Sequence, residues 1–447
     1  MEQPNVCVVS LDIGTTKIAA IVGRRNEHGK IEVLGHGRAE SGGVIRGIVC
    51  NIENTIKSIK DAVQQAKEAS GVEIKYVYVG IAGQHISSRQ QPGQLIRIKG
   101  GEEVITEQEL QDMCENIYNI GLKPGEEIID IIPQEYTIDG ESGIPNPVGM
   151  IGNSIHASYH VIIGQTAAAR NIYTCVTQAG LETLDLILEP MASASAVLSA
   201  DEKEMGVALV DIGGGTTDLA IFYNGIIRHT KVIPLGGDII TNDIKEGCSI
   251  LKRQAEELKI KFGSAFVQEN KGNEFVSIPG LQGRPHKEIS IINLAHIIQA
   301  RMEEIMEYVN TEIKMSGYVH RLGGGIVLTG GGSLLKHVAQ LAQYVTGMEV
   351  RIGYPNEHLS NNQNVQVISN PIFSTGIGLI VEGFAELDKE MKKNERKTQT
   401  TDNKIDTGNP ETEVQIEHKP KRKKKWSFLE GIINGFFDAD AKETDTQ

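Results

Sequence analysis

Two stretches of this sequence, VCVVSLDIGTTKIAAIVG at residues 6–23 and GVALVDIGGGTTDLAIFY at residues 206–223, share one order of features. Each begins with an apolar, strand-like run that ends at an aspartate. Each continues through a loop of glycine and threonine into a second apolar run. The two copies lie about 200 residues apart. Such a repeat predicts two structurally related halves.

The loops of both copies have the composition of phosphate-binding turns. Their glycines let the backbone approach a ligand, their threonines add hydroxyl donors, and consecutive N–H groups in a turn bind anions. Lys17 adds a point charge for a phosphate. Asp12 and Asp211, which end the first strands, are candidates to hold Mg²⁺ through its water molecules. The cofactor-binding candidates are Gly14, Thr15, Thr16 and Lys17 in the first loop and Gly213, Gly214, Gly215, Thr216, Thr217 and Asp218 in the second.

One Asp-x-Gly loop alone is more simply explained as a tight β-turn, whereas its duplication favours a shared ligand. A third glycine cluster, GGGIVLTGGGSLLKH at 323–337, also follows an apolar run. We expect it to open a helix whose N–H groups meet a nucleotide. None of the three matches GxxxxGK[ST] or GxGxxG, which argues against P-loop and Rossmann folds. The candidates in the third cluster are Gly330, Gly331, Gly332 and Ser333.

The charge of the chain is distributed unevenly. Its 447 residues carry a formal net charge of -14, yet residues 419–437 read KPKRKKKWSFLEGIINGFF, with six basic residues and one acid. The remainder therefore has 44 - 6 = 38 basic and 58 - 1 = 57 acidic residues, a net of -19. Such a body repels nucleic acid and anionic membranes, so we expect no nucleic-acid partner.

Composition also predicts a compartment. The five cysteines are widely spaced, without a CxxC pair, which indicates a reduced cytosolic protein. The start of the chain lacks a basic, then apolar, signal sequence, and no apolar run reaches the roughly 18 residues of a membrane-spanning helix. We therefore expect the chain to stay in the cytoplasm.

The basic stretch is expected to form an amphipathic helix at a membrane surface. On a helical wheel its large apolar residues occupy one half, and the helix is too short to span a bilayer. Lysines beside anionic lipids and aromatic anchors predict modest, reversible binding, so several linked copies would bind more firmly. The predicted membrane contacts are Lys423, Lys424, Lys425, Trp426, Phe428, Leu429, Ile432, Ile433, Phe436 and Phe437.

Two other interpretations of this stretch stay open: a basic run that binds nucleic acid, and a helix that docks in a partner's groove. The acidic body and the apolar half-wheel favour the membrane over both. Before the stretch, residues 386–418 are charged and polar, with almost no large apolar side chain. Such composition predicts a flexible linker.

In their order along the chain, DIGTTK, DIGGGTTD and LTGGGS resemble the nucleotide motifs of the actin-like ATPase superfamily. The resemblance implies an α/β, ribonuclease-H-like duplicated fold of two lobes that binds ATP and Mg²⁺. It implies that ILEPMASASAV (187–197) and STGIGLIVEG (374–383) connect the lobes. Within this implied site Glu189, Asp12 and Asp211 are the catalytic candidates, with Glu189 orienting the attacking water.

The resemblance also implies an adenosine pocket. AEELK at 255–259 matches the segment that contributes to it, which makes Glu256 and Lys259 candidates. Gly236 and Gly237 are further candidates for the nucleotide site. Taken one at a time, such residues would be surface acids or the solvated face of a helix.

The segment inserted after VYVGIAGQHISSRQQPG (77–93) is the feature that distinguishes one family of this superfamily from another. Its strand-like runs and Gly/Pro turns predict a small α+β subdomain. Its segments IPQEYTIDG, PNPVGM and HVIIG resemble the FtsA family of bacterial cell-division proteins. Asp130 departs from that pattern, which has histidine there, and so does NSIHASYH (153–160).

The family resemblance implies a protein that polymerises with ATP, binds the C-terminal peptide of FtsZ and recruits later division proteins. It would tether the Z ring to the cytoplasmic face of the cell membrane, as a peripheral protein at the division septum, with at most weak ATPase activity. The alternatives are an actin-fold small-molecule kinase, a chaperone-type ATPase and a pilus-assembly ATPase relative. A kinase would gain nothing from a polybasic amphipathic end.

These features divide the chain into predicted segments. Lobe I comprises 1–83 and 166–197, interrupted by an inserted subdomain at 84–165. The core of lobe II comprises 198–240 and 301–385, and an outer subdomain at 241–300 is the candidate for FtsZ binding. The linker at 386–418, the membrane helix at 419–437 and a disordered acidic end at 438–447 follow.

Overall fold

The computed structural model describes residues 6–97, 104–269, 274–280, 285–360 and 365–401. The predicted membrane helix at 419–437, most of the predicted linker and the acidic end lie outside the described residues. Within the described part, no helix is long and apolar enough to cross a bilayer.

The first lobe is built around one sheet. Its elements are β1 (Cys7–Ile13), β2 (Lys17–Arg25), β3 (Ile31–Glu40), β4 (Val44–Ile45), β5 (Ile48–Val49), α1 (Ile52–Ser70) and β6 (Tyr76–Ile81). The inserted subdomain comprises β7 (Ser87–Ile96), α2 (Glu107–Ile117), β8 (Glu126–Ile138), β9 (Glu141–Ile144) and β10 (Ser154–Gln165). The chain then returns to lobe I through α3 (Thr166–Gln178), β11 (Glu182–Leu188) and α4 (Glu189–Val197).

The second lobe begins with α5 (Ala200–Met205), β12 (Val207–Ile212), β13 (Thr217–Tyr223) and β14 (Ile226–Ile233). Its outer part contains α6 (Gly237–Cys248), α7 (Lys252–Phe262), β15 (Phe275–Ile278), β16 (Lys287–Ser290) and α8 (Ile291–Met315). The lobe is completed by β17 (Ile326–Thr329), α9 (Val338–Thr346), β18 (Val350–Ile352) and α10 (Val365–Ile368), and α11 (Ser374–Thr401) is the last element. Short 3-10 turns lie at 267–269, 319–321, 331–334 and 371–373.

The two main sheets repeat one topology. Lobe I has the order β3-β2-β1-β6-β11, and lobe II has the order β14-β13-β12-β17-β18. In each, the first three strands are antiparallel and the last two run parallel to the central strand. The predicted two-lobed, duplicated fold is therefore confirmed.

The central strands are buried because helices cover their sheets. Every residue of β12 is buried, and in β1 all but Cys7 are. Strands covered on both faces have continuous apolar sequences, whereas strands covered on one face alternate apolar and polar residues. This is why the two repeats are visible in the sequence as uninterrupted runs that end at an aspartate.

Helices α4 and α11 cross between the lobes. They approach so closely that a Cβ atom at Gly378 would lie 1.7 Å from the carbonyl oxygen of Ala192. The start of α11 is buried, whereas its later residues leave the core. Both predicted connections, 187–197 and 374–383, are part of this crossing.

A flexible linker was predicted to begin at residue 386. The structure instead has helix α11 continuing through this position to Thr401. A polar sequence cannot build a core, but extending an existing helix needs no new nucleation. Side chains also support it: Lys389 pairs with Glu386 at 3.2 Å, and Arg25 forms a salt bridge of 2.9 Å with Asp388. The stretch up to Thr401 is therefore corrected from linker to helix.

The insertion folds as the predicted α+β subdomain, a sheet of order β7-β10-β8-β9 with α2 against it. Its polar side chains reach the edge strand β14 of lobe II. Gln134 Nε2 donates to the carbonyl of Ile227 at 2.6 Å, and Gln90 Nε2 donates to that of Arg228 at 3.1 Å. These bonds occupy carbonyls that an edge strand otherwise leaves open to another chain.

Candidate functional site

The two glycine-threonine loops form the same turn. In the first, the N–H of Gly14 donates to the carbonyl of Lys17 at 3.0 Å, and in the second the N–H of Gly213 donates to that of Thr216 at 2.9 Å. Each turn joins antiparallel neighbours, β1 to β2 and β12 to β13. The remaining N–H groups of both turns are therefore presented by equivalent backbones.

The structure brings the two loops together across the cleft between the lobes. A Cβ atom at Gly214 would lie 2.3 Å from Thr16 Cγ2, and one at Gly215 would lie 2.5 Å from Thr15 Oγ1. Only glycine fits at such approaches. A ligand held by one loop therefore also lies beside the other.

Four carboxylates gather behind the loops: Asp12, Glu189, Asp211 and Asp218. Burial raises the pKa of Glu189 well above its ordinary value, and the three aspartates raise it further. Burial likewise raises the pKa of Asp211, and burial followed by repulsion from Asp211 raises that of Asp218 to about 8. These directions reflect like charges held together with little water, an arrangement typical of functional sites.

Glu189 is positioned by the end of a strand and the start of a helix. It directly follows β11 and is the first residue of α4. Gly80 in the neighbouring β6 leaves room for it, because a Cβ atom there would lie 2.9 Å from Glu189 Cγ. Sequence reasoning found Glu189 but missed Gly80, for which no motif is a signal.

Hydroxyl groups from both inter-lobe connections hold Asp211. Ser193 Oγ donates to Asp211 Oδ2 at 2.6 Å, and Thr375 Oγ1 lies 3.5 Å from the same oxygen. The two hydroxyls are 3.1 Å apart. Neither was a predicted site residue, although both fall inside the motifs ILEPMASASAV and STGIGLIVEG.

Lys17 is already paired in this structure. Its ammonium group contacts the carboxylate of Asp12, and both side chains are nearly buried. The side chain of Asp218 accepts from Thr216 Oγ1 at 3.1 Å, while its other oxygen is buried without a partner among the described residues. The cluster therefore combines paired and unpaired carboxylate oxygens.

The third glycine cluster lies beside the second loop. Gly330 has a φ of +79°, and a Cβ atom there would lie 2.2 Å from Asp211 Oδ1. The prediction that this cluster opens a helix is only partly right, because a 3-10 turn at Gly331–Leu334 comes first and α9 begins at Val338. Ser333 is buried and donates to the carbonyl of Gly330 at 2.7 Å, so the turn is closed locally.

The predicted adenosine residues Glu256 and Lys259 lie on α7 and contact the first turns of α6. Lys259 Nζ donates to the carbonyl of Gly237 at 2.9 Å and pairs with Glu256 at 2.7 Å. Both side chains also contact Thr241, which was not predicted. In this structure Lys259 and Glu256 support the backbone beside the loops, and their contact with adenosine stays a prediction.

The start of α6 is tied to the second loop. The N–H of Gly237 donates to the carbonyl of Gly213 at 2.9 Å, and the N–H of Asp238 donates to that of Gly214 at 2.8 Å. Gly236 must be small, since a Cβ atom there would lie 2.7 Å from both carbonyl oxygens. Backbone hydrogen bonds thus fix the segment from Gly236 onward to the loop.

Among the described residues, no group of three or more His, Cys, Asp or Glu is arranged to hold a metal ion directly. Asp12 and Asp211, assigned to Mg²⁺ through water, remain predicted for that role. The predicted membrane contacts, from Lys423 to Phe437, lie outside the described residues.

Comparison with known proteins gives consistent matches. The family model "Cell division protein FtsA" matches residues 208–378, and the model "SHS2 domain inserted in FTSA" matches residues 83–163. The cell division protein FtsA of Pseudomonas aeruginosa is 39% identical over 86% of this chain and 90% of its own length.

Two solved structures share the fold. A PilM-PilN type IV pilus biogenesis complex matches with a TM-score of 0.61 and 18% identity, over 85% of this chain and 99% of that one. MreB5 of Spiroplasma citri bound to ADP matches with a TM-score of 0.50 and 15% identity, over 87% and 98%.

Proposed function

Because this chain belongs to the FtsA family of cell division proteins, we propose that it binds ATP, self-assembles, and tethers FtsZ to the membrane at the division septum. The membrane contact is its C-terminal amphipathic helix, on the cytoplasmic face, and the later membrane proteins of the divisome are its further partners. The observation that carries the nucleotide part is the pair of equivalent loops facing one another over four carboxylates.

The site fits a nucleotide with a divalent cation. Two backbone turns that present N–H groups suit phosphate oxygens, and the mutual repulsion of Asp12, Asp211, Asp218 and Glu189 is relieved by positive charge. Bound Mg²⁺ would supply that positive charge and would also offset the negative charge of the phosphate oxygens. Asp12 and Asp211 would hold it through water, as Mg²⁺ keeps part of its hydration shell. The solved MreB5 structure with ADP is of the same fold, which agrees with this ligand.

Other residues of the chain would bind the phosphates, orient Asp211 and orient the attacking water. The glycines of the two loops place N–H groups around the phosphates, and Ser193 and Thr375 keep Asp211 in one orientation. Glu189 is assigned to orient the attacking water. We expect hydrolysis to be slow, as the resemblance to the family implies.

The tail supports the tethering part. An acidic body repels anionic lipid, whereas the basic, aromatic end attracts it. Assembly of several copies would turn weak single anchors into firm binding. The outer subdomain at 241–300 is assigned to FtsZ.

The strongest alternative class is an actin-fold enzyme that phosphorylates a small molecule or remodels a polypeptide. Rapid ATP turnover that depends on such a substrate, without self-association, would favour it. A pilus-assembly relative is the other alternative, and the PilM-PilN match has the same fold. The basic amphipathic end and the 39% identity to an FtsA favour the division protein.

The proposal is tested by sedimentation of the full-length protein with ATP, anionic liposomes and an FtsZ C-terminal peptide, each omitted in turn. We expect liposome binding to vanish when residues 419–447 are deleted. A matched pair isolates the apolar face: Trp426→Glu with Phe436→Glu should release the protein, whereas Ser427→Glu with Asn434→Glu adds the same charge and should weaken binding much less. Equal binding by the truncated body would refute the tether.

A further inference from the structure

A short hairpin in lobe I reaches the cleft between the two phosphate loops. Strands β4 and β5 are joined by Arg46 and Gly47, whose φ values are +50° and +74°. A two-residue turn with positive φ at both positions is the primed type that suits a tight hairpin. Asparagine and glycine are usual at the first position, and arginine is not.

The backbone of this turn contacts both loops. The N–H of Gly47 donates to Thr15 Oγ1 at 3.1 Å, which ties the turn to the first loop. On the other side of the cleft, a Cβ atom at Gly215 would lie 2.9 Å from Arg46 Cα and 3.0 Å from its nitrogen. The turn is therefore held where the two lobes meet.

The turn also borders Gly83, just after β6, and β6 is the strand that contacts Glu189 through Gly80. A Cβ atom at Gly83 would lie 3.0 Å from the carbonyl oxygen of Arg46, and one at Gly80 would lie 2.9 Å from Glu189 Cγ. Only two residues separate Gly80 from Gly83. Of the parts of a bound nucleotide, the terminal phosphate is the one expected between Glu189 and the loops.

Arg46 carries the positive charge of this turn. Its side chain is exposed and forms no hydrogen bond or ion pair with any described residue. By contrast, Lys17 contacts Asp12 and Lys259 pairs with Glu256. Arginine binds phosphate oxygens through a planar, bidentate group.

We propose that Arg46 binds the terminal phosphate of the nucleotide and so makes the site distinguish a nucleoside triphosphate from a diphosphate. This rests on the nucleotide binding proposed above. Because the turn also contacts Gly215, a phosphate bound by Arg46 would link lobe I to the second loop. The hairpin would then be a third phosphate-binding element, beside the two repeated loops.

The test measures the affinity of full-length protein for ATP and for ADP, both with Mg²⁺, by titration calorimetry. Arg46→Gly removes the guanidinium while keeping a residue that accepts the positive φ. We expect it to weaken ATP binding roughly tenfold or more, with less than about a twofold change for ADP, as for the loss of one charged hydrogen-bonding group. Arg46→Lys should recover part of the loss.

The matched control is Arg170→Gln, which removes another exposed arginine of lobe I, one whose charge faces Glu127. It should change neither affinity. Thermal melting of each variant shows whether the fold is kept. Unchanged ATP affinity in Arg46→Gly, or an equal loss for ATP and ADP, would overturn the assignment of Arg46 alone. Binding of neither nucleotide by the unaltered protein would instead overturn the proposed nucleotide site and this inference with it.

Discussion

At the scale of single residues, the site depends on the orientation of Asp211. Three elements fix it: Ser193 from α4, Thr375 from α11 and the bare backbone of Gly330. Two are hydroxyl donors, and the third is a position where a side chain is excluded. A buried carboxylate that loses its hydrogen bonds is costly, so these neighbours affect both stability and ligand binding.

Gly330→Ala should be strongly destabilising. The new Cβ would lie 2.2 Å from Asp211 Oδ1, at a φ of +79° that disfavours alanine. We expect the free energy of unfolding to fall by about 3 kcal/mol or more, measured by urea denaturation. Gly347→Ala is the control, since its φ is +71° but nothing lies within 4 Å of the added atom. It should lose only about 1 kcal/mol, and equal losses would contradict the clash.

The placement of site residues was predictable where chemistry and pattern coincide. Asp12 and Asp211 end apolar runs before glycine loops, so the sequence marks them, and the structure places them together. Thr241 and Arg46 carry no such mark, because their proximity to the loops arises from the packing of α6 and from one hairpin turn. Side-chain partners across the cleft depend on tertiary contacts that no local pattern encodes.

At the scale of elements, the insertion is joined to lobe II through its polar side chains, which contact β14. His160 lies at the centre of this contact. Its Nδ1 accepts from Gln90 Nε2 at 3.3 Å, and its Nε2 lies 3.0 Å from Thr230 Oγ1. Burial lowers the pKa of His160 to about 4, with His229 lowering it further and Asp130 opposing.

This contact predicts a loss of stability in acid. The pKa of this histidine is about 4 in the folded protein and about 6.5 in the unfolded chain. Above pH 6.5 it is neutral in both states and does not affect the free energy of unfolding. Between pH 6.5 and about 4 the unfolded chain binds the proton more readily, so the free energy of unfolding falls as the pH is lowered. The full loss is about 3 kcal/mol per such histidine. His85, whose pKa burial also lowers to about 4, should add a similar loss.

His160→Gln should therefore flatten the decline of the melting temperature between pH 7 and pH 4.5, since glutamine can form both hydrogen bonds but does not titrate. His28→Gln, at an exposed turn, is the control and should leave the slope unchanged. If His160→Gln and the unaltered protein declined in parallel, the buried neutral histidine would not be the cause.

Element types followed from pattern more reliably than element ends. The repeated strands and the α+β insertion could be predicted because apolar periodicity and turn residues agree there. The end of α11 could not, since its polar last turns look like linker by composition and are helical because a buried helix leads into them. The 3-10 turn after β17 was missed because its two glycines, and Gly330 before them, suit several backbone conformations.

At the scale of the whole molecule, the loops set how closely the lobes approach. Gly214 faces Thr16 of the other lobe, whereas the nearest neighbour of a Cβ at Gly213 is the carbonyl of Thr216 in its own loop, at 3.2 Å. Adjacent glycines thus have different roles. One limits the distance between lobes and the other only shapes its turn.

Gly214→Ala should hold the lobes apart. Overpacking of this kind costs about 1 to 3 kcal/mol, so we expect nucleotide affinity to fall roughly tenfold. The radius of gyration from small-angle X-ray scattering should rise with ATP present. Gly213→Ala, the control in the same loop, should change both quantities less. A compact Gly214→Ala protein with full affinity would show that the lobes do not need this contact.

The overall architecture was predictable because the fold is a duplication. The strand order of the first repeat also applies to the second. The relation of the insertion to lobe II was not, since the bonds to β14 come from side chains far apart in sequence, such as Gln90 and Gln134. How the separate units meet is decided by surface complementarity rather than by periodicity.

Helix α11 finally gives the molecule a mechanical property. At about 1.5 Å per residue, its 28 residues form a rod of roughly 42 Å that begins beside Thr375 and leads toward the tail. Gly378 of this helix packs directly against the backbone of Ala192, the residue before Ser193. We therefore expect tension applied beyond Thr401 to be transmitted along this helix to the two hydroxyls that contact Asp211.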